Sequence, residues 1–187
     1  MNTQCKRVFL AIDFTPSFKA KVFREIQNLP IHYINFIPPE NLHLTLRWFG
    51  SLKQKQLATL KEKLAPLSEE KQFEMSLYGL KFFEKNRRSP VLWIDINEGY
   101  EKVKRLRDKV DSLLNIEKEQ EVRKFTPHIT ISRLKSRKFD NKPFKRIINQ
   151  NSSLPFGKTI TTELTLFESI AVPEGRAYTP IIKIPLQ

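Results

Sequence analysis

A four-residue pattern of histidine, aliphatic, threonine, aliphatic occurs twice in this chain, at residues 43–46 and 128–131. Successive side chains of a β-strand point to opposite faces, so the histidine and threonine of each tetrad would share one face and the aliphatic residues the other. Each tetrad therefore predicts a half-buried strand that presents an imidazole beside a hydroxyl. If the two strands lie side by side, two imidazoles and two hydroxyls face one space, which suits acid/base chemistry on a phosphate.

The residues around the tetrads repeat as well. Phe9, in an apolar run, lies 34 positions before His43, and Ile94, in a second apolar run, lies 34 positions before His128. A helix-like stretch separates the members of each pair, at residues 17–28 and 98–114. These repeats predict a duplicated unit. We expect a single domain over residues 1–187 with two similar lobes, the duplicated halves being roughly 1–88 and 89–187.

Duplication alone could preserve the two histidines as core residues. Core strands, however, prefer valine or isoleucine to histidine, so the recurrence of the two histidines favours a functional role. The third histidine, His32, lies outside both tetrads and is interpreted as structural.

The remaining pattern predicts an α+β fold with largely antiparallel sheets flanking a central cleft. Strand patterns occur at residues 7–12, 33–36, 42–48, 73–80, 91–96, 128–133, 163–170 and 181–184. Helical patterns occur at residues 17–28, 54–64, 98–114 and 142–149. Loops are predicted at residues 84–90, 136–141 and 173–176. Strands and helices interleave, but no glycine-rich turn follows a strand, which argues against a dinucleotide-binding fold.

The charge of the chain favours a polyanionic partner. Lysine and arginine number 33 against 20 acidic residues, a formal net charge of +13. Several basic residues lie near Phe82 and Phe83 or follow the second tetrad, an arrangement that suits RNA phosphates and bases: Lys81, Lys85, Arg87, Arg88, Arg133, Lys135, Arg137, Lys138, Lys142, Lys145 and Arg146. For any single one of these residues, a solvated loop position is the simpler interpretation.

Other classes of protein are disfavoured. Cys5 is the only cysteine, so no intramolecular disulfide can form. No apolar run is long enough for a leader or a membrane span, and we expect a cytoplasmic monomer. Neither tetrad has a carboxylate or thiol nearby in sequence, so we expect no metal site and no cofactor.

Three segments carry a family resemblance: residues 39–50, 125–133 and 175–180. They resemble the RNA 2′,3′-cyclic phosphodiesterases, also called 2′,5′ RNA ligases, of the two-histidine phosphoesterase superfamily. The resemblance implies a pseudo-symmetric, two-lobed fold with both tetrads in the cleft. It also implies metal-independent opening of a 2′,3′-cyclic phosphate to a 2′-phosphate, with reversible ligation in some members. Trp48, where members often carry phenylalanine, is a mild departure.

The candidate site residues have distinct chemical roles. A free imidazole has a pKa near 6.5, so one neutral and one protonated ring can coexist near neutral pH. The neutral ring can remove a proton from the attacking water and the protonated ring can supply one to the leaving oxygen, which gives a bell-shaped dependence of the rate on pH. The residues leave open which histidine is the acid; the resemblance implies that His43 donates the proton and His128 accepts it. Thr45 and Thr130 can donate hydrogen bonds to the non-bridging phosphate oxygens.

A cation should also contact the phosphate. Strand alternation nominates Arg47, on the face of His43, whereas the resemblance nominates Arg133, which we prefer. Trp48 and Tyr33 are possible base-stacking residues, but alternation places Trp48 on the apolar face, so we interpret it as core.

Alternative functions use the same scaffold. One is cleavage of 2′,5′-linked oligonucleotides or of RNA 3′ ends, and another is a non-catalytic RNA-binding module. The module would be expected to carry a decayed tetrad, and here both tetrads are intact.

Overall fold

The chain was analysed as a computed structural model that describes residues 5–31, 34–83, 90–116, 125–133, 141–173 and 175–187, without the side chains of 141–144. Eight strands are present in these ranges: β1 (Lys6–Asp13), β2 (His43–Leu52), β3 (Phe73–Phe83), β4 (Val91–Ile96), β5 (Ile129–Arg133), β6 (Pro155–Thr161), β7 (Glu163–Val172) and β8 (Gly175–Pro185). The helices are α1 (Pro16–Gln27), α2 (Gln54–Leu64), α3 (Tyr100–Leu113) and α4 (Asn141–Gln150), with short 3₁₀ turns at Pro39–Asn41 and Ala65–Glu69.

All eight strands form one sheet in the order β6-β3-β4-β5-β2-β1-β7-β8, and every neighbouring pair is antiparallel. The tetrad strands β2 and β5 are adjacent at its centre, where Leu44 pairs with Ile129. Each is flanked by the strand of its preceding apolar run, β1 or β4. The sheet thus has two four-stranded lobes that meet at the tetrads, which confirms the predicted fold class.

Each lobe contains strands from both halves of the sequence. Strand β3, from the first half, pairs with β4, whereas β7 and β8, from the end of the chain, extend the lobe of β1. The chain therefore passes between the lobes more than once.

The helices cover one face of the sheet. The main core contains Leu44 and Ile129 from the tetrads together with the apolar stripes of α1, α2 and α3. Helix α1 begins at an N-cap where the Thr15 hydroxyl accepts a hydrogen bond from the Phe18 amide, with Pro16 in the first turn. A second, smaller cluster of Phe9, Ala11 and Phe167, packed against Tyr178, contains no helical residue. The opposite face of the sheet carries this cluster and the polar residues of the tetrads.

The structure differs from the predicted elements at three places, one of which is β8, which begins at Gly175 inside the predicted loop 173–176. The strand pattern at 33–36 corresponds, in its described residues, to a single bridge between Phe36 and Ser132. Strand β6 was not predicted, because Pro155 and the positive-φ Gly157 are weak strand signals. Tertiary pairing with β3 imposes the extended conformation there. Within the described ranges, no helix has the length and apolarity needed to cross a bilayer.

Candidate active site

The tetrads alternate as predicted. Leu44 and Ile129 are fully buried on the helix side, whereas the histidines and threonines are half-buried. Continuing the antiparallel register from the Leu44–Ile129 pair places His43 across from Thr130, and His128 across from Thr45. His43 and His128 are then diagonal neighbours on one face, with a spacing of about 7–8 Å by standard sheet geometry. A phosphate fits between two imidazoles at this separation.

The two imidazoles are held by equivalent hydrogen bonds. Nδ1 of His43 lies 2.7 Å from the Asn41 carbonyl oxygen, and Nδ1 of His128 lies 2.8 Å from that of Thr126. A carbonyl only accepts, so Nδ1 carries the proton in both rings and Nε2 of the neutral ring is bare. The Thr45 hydroxyl, 3.0 Å away, donates to Nε2 of His43. In each repeat the backbone two residues earlier therefore fixes the tautomer and leaves Nε2 for proton transfer.

Aromatic side chains surround both rings. In the first lobe Phe9 lies 4.9 Å from His43 between ring centroids, and Tyr178 meets the same ring edge-on at 5.1 Å. In the second lobe Phe83 meets His128 edge-on at 5.1 Å and Trp93 lies 5.7 Å away. These contacts fix the ring orientations and exclude water from one side of each imidazole.

The surroundings lower the pKa of both histidines. Burial lowers the pKa of His43 to about 4, opposed by its hydrogen bond to Asn41 and by the carboxylate of Asp13, which pairs across from it on β1. Burial also lowers the pKa of His128, and the positive charge of Arg133 lowers it further. Desolvation disfavours the charged imidazolium, so both rings are neutral at pH 7 before an anion binds. An incoming phosphate raises both pKa values because its negative charge stabilises the imidazolium.

A β-bulge occurs three residues after each histidine. On β2, Thr45 pairs with Ala11 and Arg47 with Leu10, so Leu46 has no partner on β1. On β5, Thr130 pairs with Trp93 and Ser132 with Leu92, so Ile131 has none on β4. An inserted residue reverses the alternation of every side chain beyond it.

The bulge on β5 brings Arg133 to the face of the histidines. Arg133 pairs with Val91, which alternates with Trp93 on the site side of β4, whereas Ser132 is fully buried. The charge of Arg133 acts on both His43 and His128. Without the bulge, simple alternation would place Arg133 on the opposite face of the sheet from the histidines.

The bulge on β2 has the opposite effect on Arg47. Arg47 pairs with the core residue Leu10, and its Nη1 lies 3.1 Å from Oδ1 of the buried Asp111 on α3. Alternation predicted Arg47 beside His43, but the unpaired Leu46 turns it to the helix side. The structure therefore brings His43, Thr45, His128, Thr130 and Arg133 to one face and places Arg47 on the other.

The interpretation of Trp48 as core is wrong for the same reason. After the bulge Trp48 pairs with Phe9, on the face of His43, and 46% of its surface is exposed.

Sequence reasoning also missed three residues beside His43, namely Asp13, Phe9 and Tyr178. The 34-residue spacing from Phe9 to His43 was the available signal for Phe9, and Tyr178 lies in a segment of the family resemblance. Several predicted positions lie outside the described residues: His32, Tyr33, Lys85, Arg87, Arg88, Lys135, Arg137, Lys138 and the side chain of Lys142. Over the part of the chain that is described, no group of three or more histidine, cysteine or acidic side chains is arranged to hold a metal ion.

Comparison with known proteins places the chain in a family. The sequence model of the 2′-5′ RNA ligase superfamily matches residues 16–170. The chain belongs to this superfamily. It is 29% identical over 183 residues to a protein of Archaeoglobus fulgidus named RNA 2′,3′-cyclic phosphodiesterase, covering 92% of this chain and 96% of the relative. A protein of Aquifex aeolicus with the same name is 29% identical over 150 residues, 78% of each chain.

Two solved structures share the fold of this chain. E. coli LigT in complex with 3′-AMP has a TM-score of 0.77 and 20% sequence identity, covering 98% of this chain and 99% of LigT. TT0787 of Thermus thermophilus has a TM-score of 0.75 and 23% identity, covering 96% and 97%. The fold is therefore shared with these two proteins over nearly the whole chain.

Proposed function

We propose that this protein is an RNA 2′,3′-cyclic phosphodiesterase that opens the cyclic phosphate to a 2′-phosphate by two-histidine acid/base catalysis. The observation that carries the proposal is the matched pair of imidazoles at the junction of β2 and β5. Each has Nδ1 held by a backbone carbonyl, and Arg133 lies on the same face. The names of the relatives and the net charge of +13 support an RNA substrate.

The reaction needs one proton removed and one supplied. Nε2 of His128 accepts a proton from water as the water oxygen attacks phosphorus. The bond from phosphorus to the ribose 3′-oxygen breaks, and Nε2 of His43 protonates that oxygen. The products are a 2′-phosphate and a 3′-hydroxyl, and exchange with solvent restores both rings. No metal takes part in these steps, because the strained five-membered ring and the two histidines supply the driving force and the proton transfers.

We assign His43 as the acid and His128 as the base because the family resemblance implies that order. Arg133 lowers the pKa of both rings, and at His43 the carboxylate of Asp13 opposes this effect while the ammonium of Lys19 adds to it. The negative charge of the bound phosphate then lets His43 take up the proton that it donates to the leaving oxygen. Thr45, Thr130 and Arg133 stabilise the negative charge of the pentavalent transition state.

The test is hydrolysis of a nucleoside 2′,3′-cyclic phosphate in EDTA, with the phosphate position of the product read by ³¹P NMR. We expect a 2′-phosphate from the wild type and a loss of about 10²–10⁴-fold in kcat for both His43→Ala and His128→Ala. His32→Ala is the matched histidine control and should retain most activity. A loss in His32→Ala as large as in His43→Ala, or turnover indifferent to the tetrad histidines, would contradict the proposal.

A second candidate activity is 2′,5′ ligation, which the family description favours. A 5′-hydroxyl of another RNA would replace water as the nucleophile and give a 2′,5′-phosphodiester with the same proton transfers. Incubation of a cyclic-phosphate RNA with a 5′-hydroxyl RNA at high concentration tests it. A joined product that resists nucleases specific for 3′,5′ linkages supports ligation, and hydrolysis alone contradicts it.

A further inference from the structure

Lys19 is a buried lysine that takes no part in the proposed reaction. It lies on α1, and only 10% of its side-chain surface is exposed. Lysine is rarely buried unless its ammonium has partners. Here Nζ lies 2.6 Å from Oδ1 of Asp13 and donates a hydrogen bond of 2.9 Å to the carbonyl oxygen of Glu40. The ammonium thus joins the end of β1 to the 3₁₀ turn Pro39–Asn41.

Both ends of this link adjoin His43. Asp13 pairs across from His43 on β1. Glu40 precedes Asn41, whose carbonyl oxygen lies 2.7 Å from Nδ1 of His43. The side-chain amide of Asn41 donates to the carbonyl oxygen of Arg176 on β8 at 2.8 Å, so the turn is anchored on a second side. The turn that holds the imidazole is therefore fixed by contacts with α1 and β8 as well as by its own backbone hydrogen bonds.

His43 has a second tautomer within reach, which the turn must disfavour. The hydroxyl of Thr45, 3.0 Å from Nε2, can accept a hydrogen bond as well as donate one. If the Asn41 carbonyl moves away, the ring can carry its proton on Nε2 and donate it to Thr45 instead. In the proposed reaction the proton leaves from Nε2, so the ring ends with its proton on Nδ1, the form that the Asn41 carbonyl stabilises. The position of that carbonyl therefore affects the proton transfer.

The equivalent ion pair in the second lobe is built differently. Asp95 lies across from His128 when the register of β4 and β5 is continued by one residue, and it pairs with Lys81. Lys81 comes from the neighbouring strand β3, and more than half of its side chain is exposed. The buried link from a helix to the turn before the histidine is thus a feature of the first lobe. Its removal should change His43 and leave His128 as it is.

We propose that Lys19 is a positioning residue for His43. Its ammonium joins the Asp13 carboxylate to the Glu40 carbonyl. The turn then keeps the Asn41 carbonyl on Nδ1 of the ring and leaves Nε2 for proton transfer. An ammonium has three N–H donors and can hold both oxygens, whereas an apolar side chain of similar length can hold neither. The inference rests on the proposed function and adds to it a residue that acts on the substrate only through His43.

The experiment reads the tautomer of each histidine from its side-chain ¹⁵N chemical shifts at pH 8, where the rings are neutral. The wild type should carry the proton on Nδ1 at both His43 and His128. In Lys19→Met, a substantial fraction of His43 should carry it on Nε2, while His128 is unchanged. Lys19→Arg keeps a cation and should restore the wild-type pattern. The matched control, Lys21→Met, lies at an exposed position two residues later on α1 and should change neither ring.

Kinetics on adenosine 2′,3′-cyclic phosphate provide a second readout. For Lys19→Met we expect kcat to fall about tenfold with KM little changed, because a misplaced catalytic group slows the chemical step. Lys19→Arg should recover most of the loss, and Lys21→Met should keep the wild-type rate. A wild-type tautomer at His43 in Lys19→Met would overturn the inference. An equal change at His43 and His128 would also overturn it, because a general loosening of the fold would then be the cause.

A second variant covers the loss of stability that an unpaired charge can cause. Lys19→Met leaves the Asp13 carboxylate without its cation, which is destabilising. The double variant Asp13→Asn/Lys19→Met removes both charges and should show the same change of tautomer at His43; an unchanged ring would overturn the inference. Since the tautomer is read without substrate, absence of turnover in the wild type would contradict the phosphodiesterase proposal alone, and the ¹⁵N shifts would still decide the role of Lys19.

Discussion

At the scale of single residues, the site depends on where each polar atom points. The two histidines have the same tautomer because each Nδ1 donates to the carbonyl of the residue two positions earlier. Burial keeps both rings neutral. A neutral imidazole can act as a base immediately, but it can act as an acid only after a bound anion has raised its pKa and it has taken up a proton. The binding of the phosphate is therefore what prepares the proton donor.

Arg133 gives a prediction at this scale. Arg133→Ala should lower kcat about 10²-fold, because a donor to the transition-state oxygens is lost. Removing its positive charge also raises the pKa of both histidines, so the acidic limb of the pH profile of kcat/KM should move to higher pH. Steady-state kinetics from pH 4.5 to 8 would measure both effects.

Two variants serve as comparisons for Arg133. Arg133→Lys keeps the charge and should leave the acidic limb near its wild-type position while losing part of kcat. Arg105→Ala, an exposed position on α3, should change neither quantity. An unshifted acidic limb in Arg133→Ala would contradict the assignment.

At the scale of elements, the paired bulges sort the residues after the tetrads between the two faces of the sheet. The carbonyls of the bulged residues accept hydrogen bonds from outside the two strands: Leu46 from Nη1 of Arg107 at 2.6 Å, and Ile131 from the amide of Ile37 at 2.8 Å. A buried carbonyl without a donor is costly, so these contacts stabilise the irregular strands. On β2 the donor belongs to a buried network in which Arg107 and Arg47 both contact Asp111.

Arg107→Met should therefore destabilise the fold by about 3 kcal/mol. Methionine keeps much of the side-chain volume but removes the donor to Leu46 and one of the two cations beside Asp111. The midpoint of urea unfolding measures the change. Arg105→Met, two residues earlier on the exposed side of the same helix, should stay within about 0.5 kcal/mol of the wild type. Equal stability of the two variants would contradict a structural role for the network.

The same elements show where sequence reasoning succeeded. Residues 43–46 and 128–131 were correctly predicted as half-buried strands, because Leu44 and Ile129 alternate with polar residues. On β2 the alternation failed beyond the bulge at Leu46, whereas on β5 Arg133 was preferred from the family resemblance against the alternation. A bulge depends on pairing with the partner strand, which the sequence of β2 does not show. Strict alternation along β2 therefore assigned Arg47 and Trp48 to the wrong faces.

At the scale of the whole molecule, burial of neutral histidines makes the stability of the fold depend on pH. The unfolded chain binds a proton at His43 near pH 6.5, whereas the folded protein does so only at about pH 4. Protons therefore favour the unfolded state in this window. The stability is complete above the unfolded pKa and is lost as the pH falls towards the folded one.

We expect the free energy of unfolding to fall between pH 7 and pH 5, with His43 accounting for about 2 kcal/mol of the loss. In His43→Gln, which cannot titrate, that part of the pH dependence should disappear, leaving a smaller slope to which His128 contributes. Urea unfolding at pH 7 and pH 5 tests this. The same pH dependence in wild type and His43→Gln would show that His43 is not held neutral in the fold.

The sequence by itself determined the α+β class, the two tetrads, their half-buried strands and the family. These features depend on local alternation and on a repeated motif, both of which are present in a single stretch of chain. Tertiary structure alone decided the remaining features. Hydrogen bonding between distant strands decides which lobe contains β3 and β7, where β6 lies, and which faces carry Arg47, Trp48 and Arg133. An unpaired residue in such a pairing reverses the side chains that follow it.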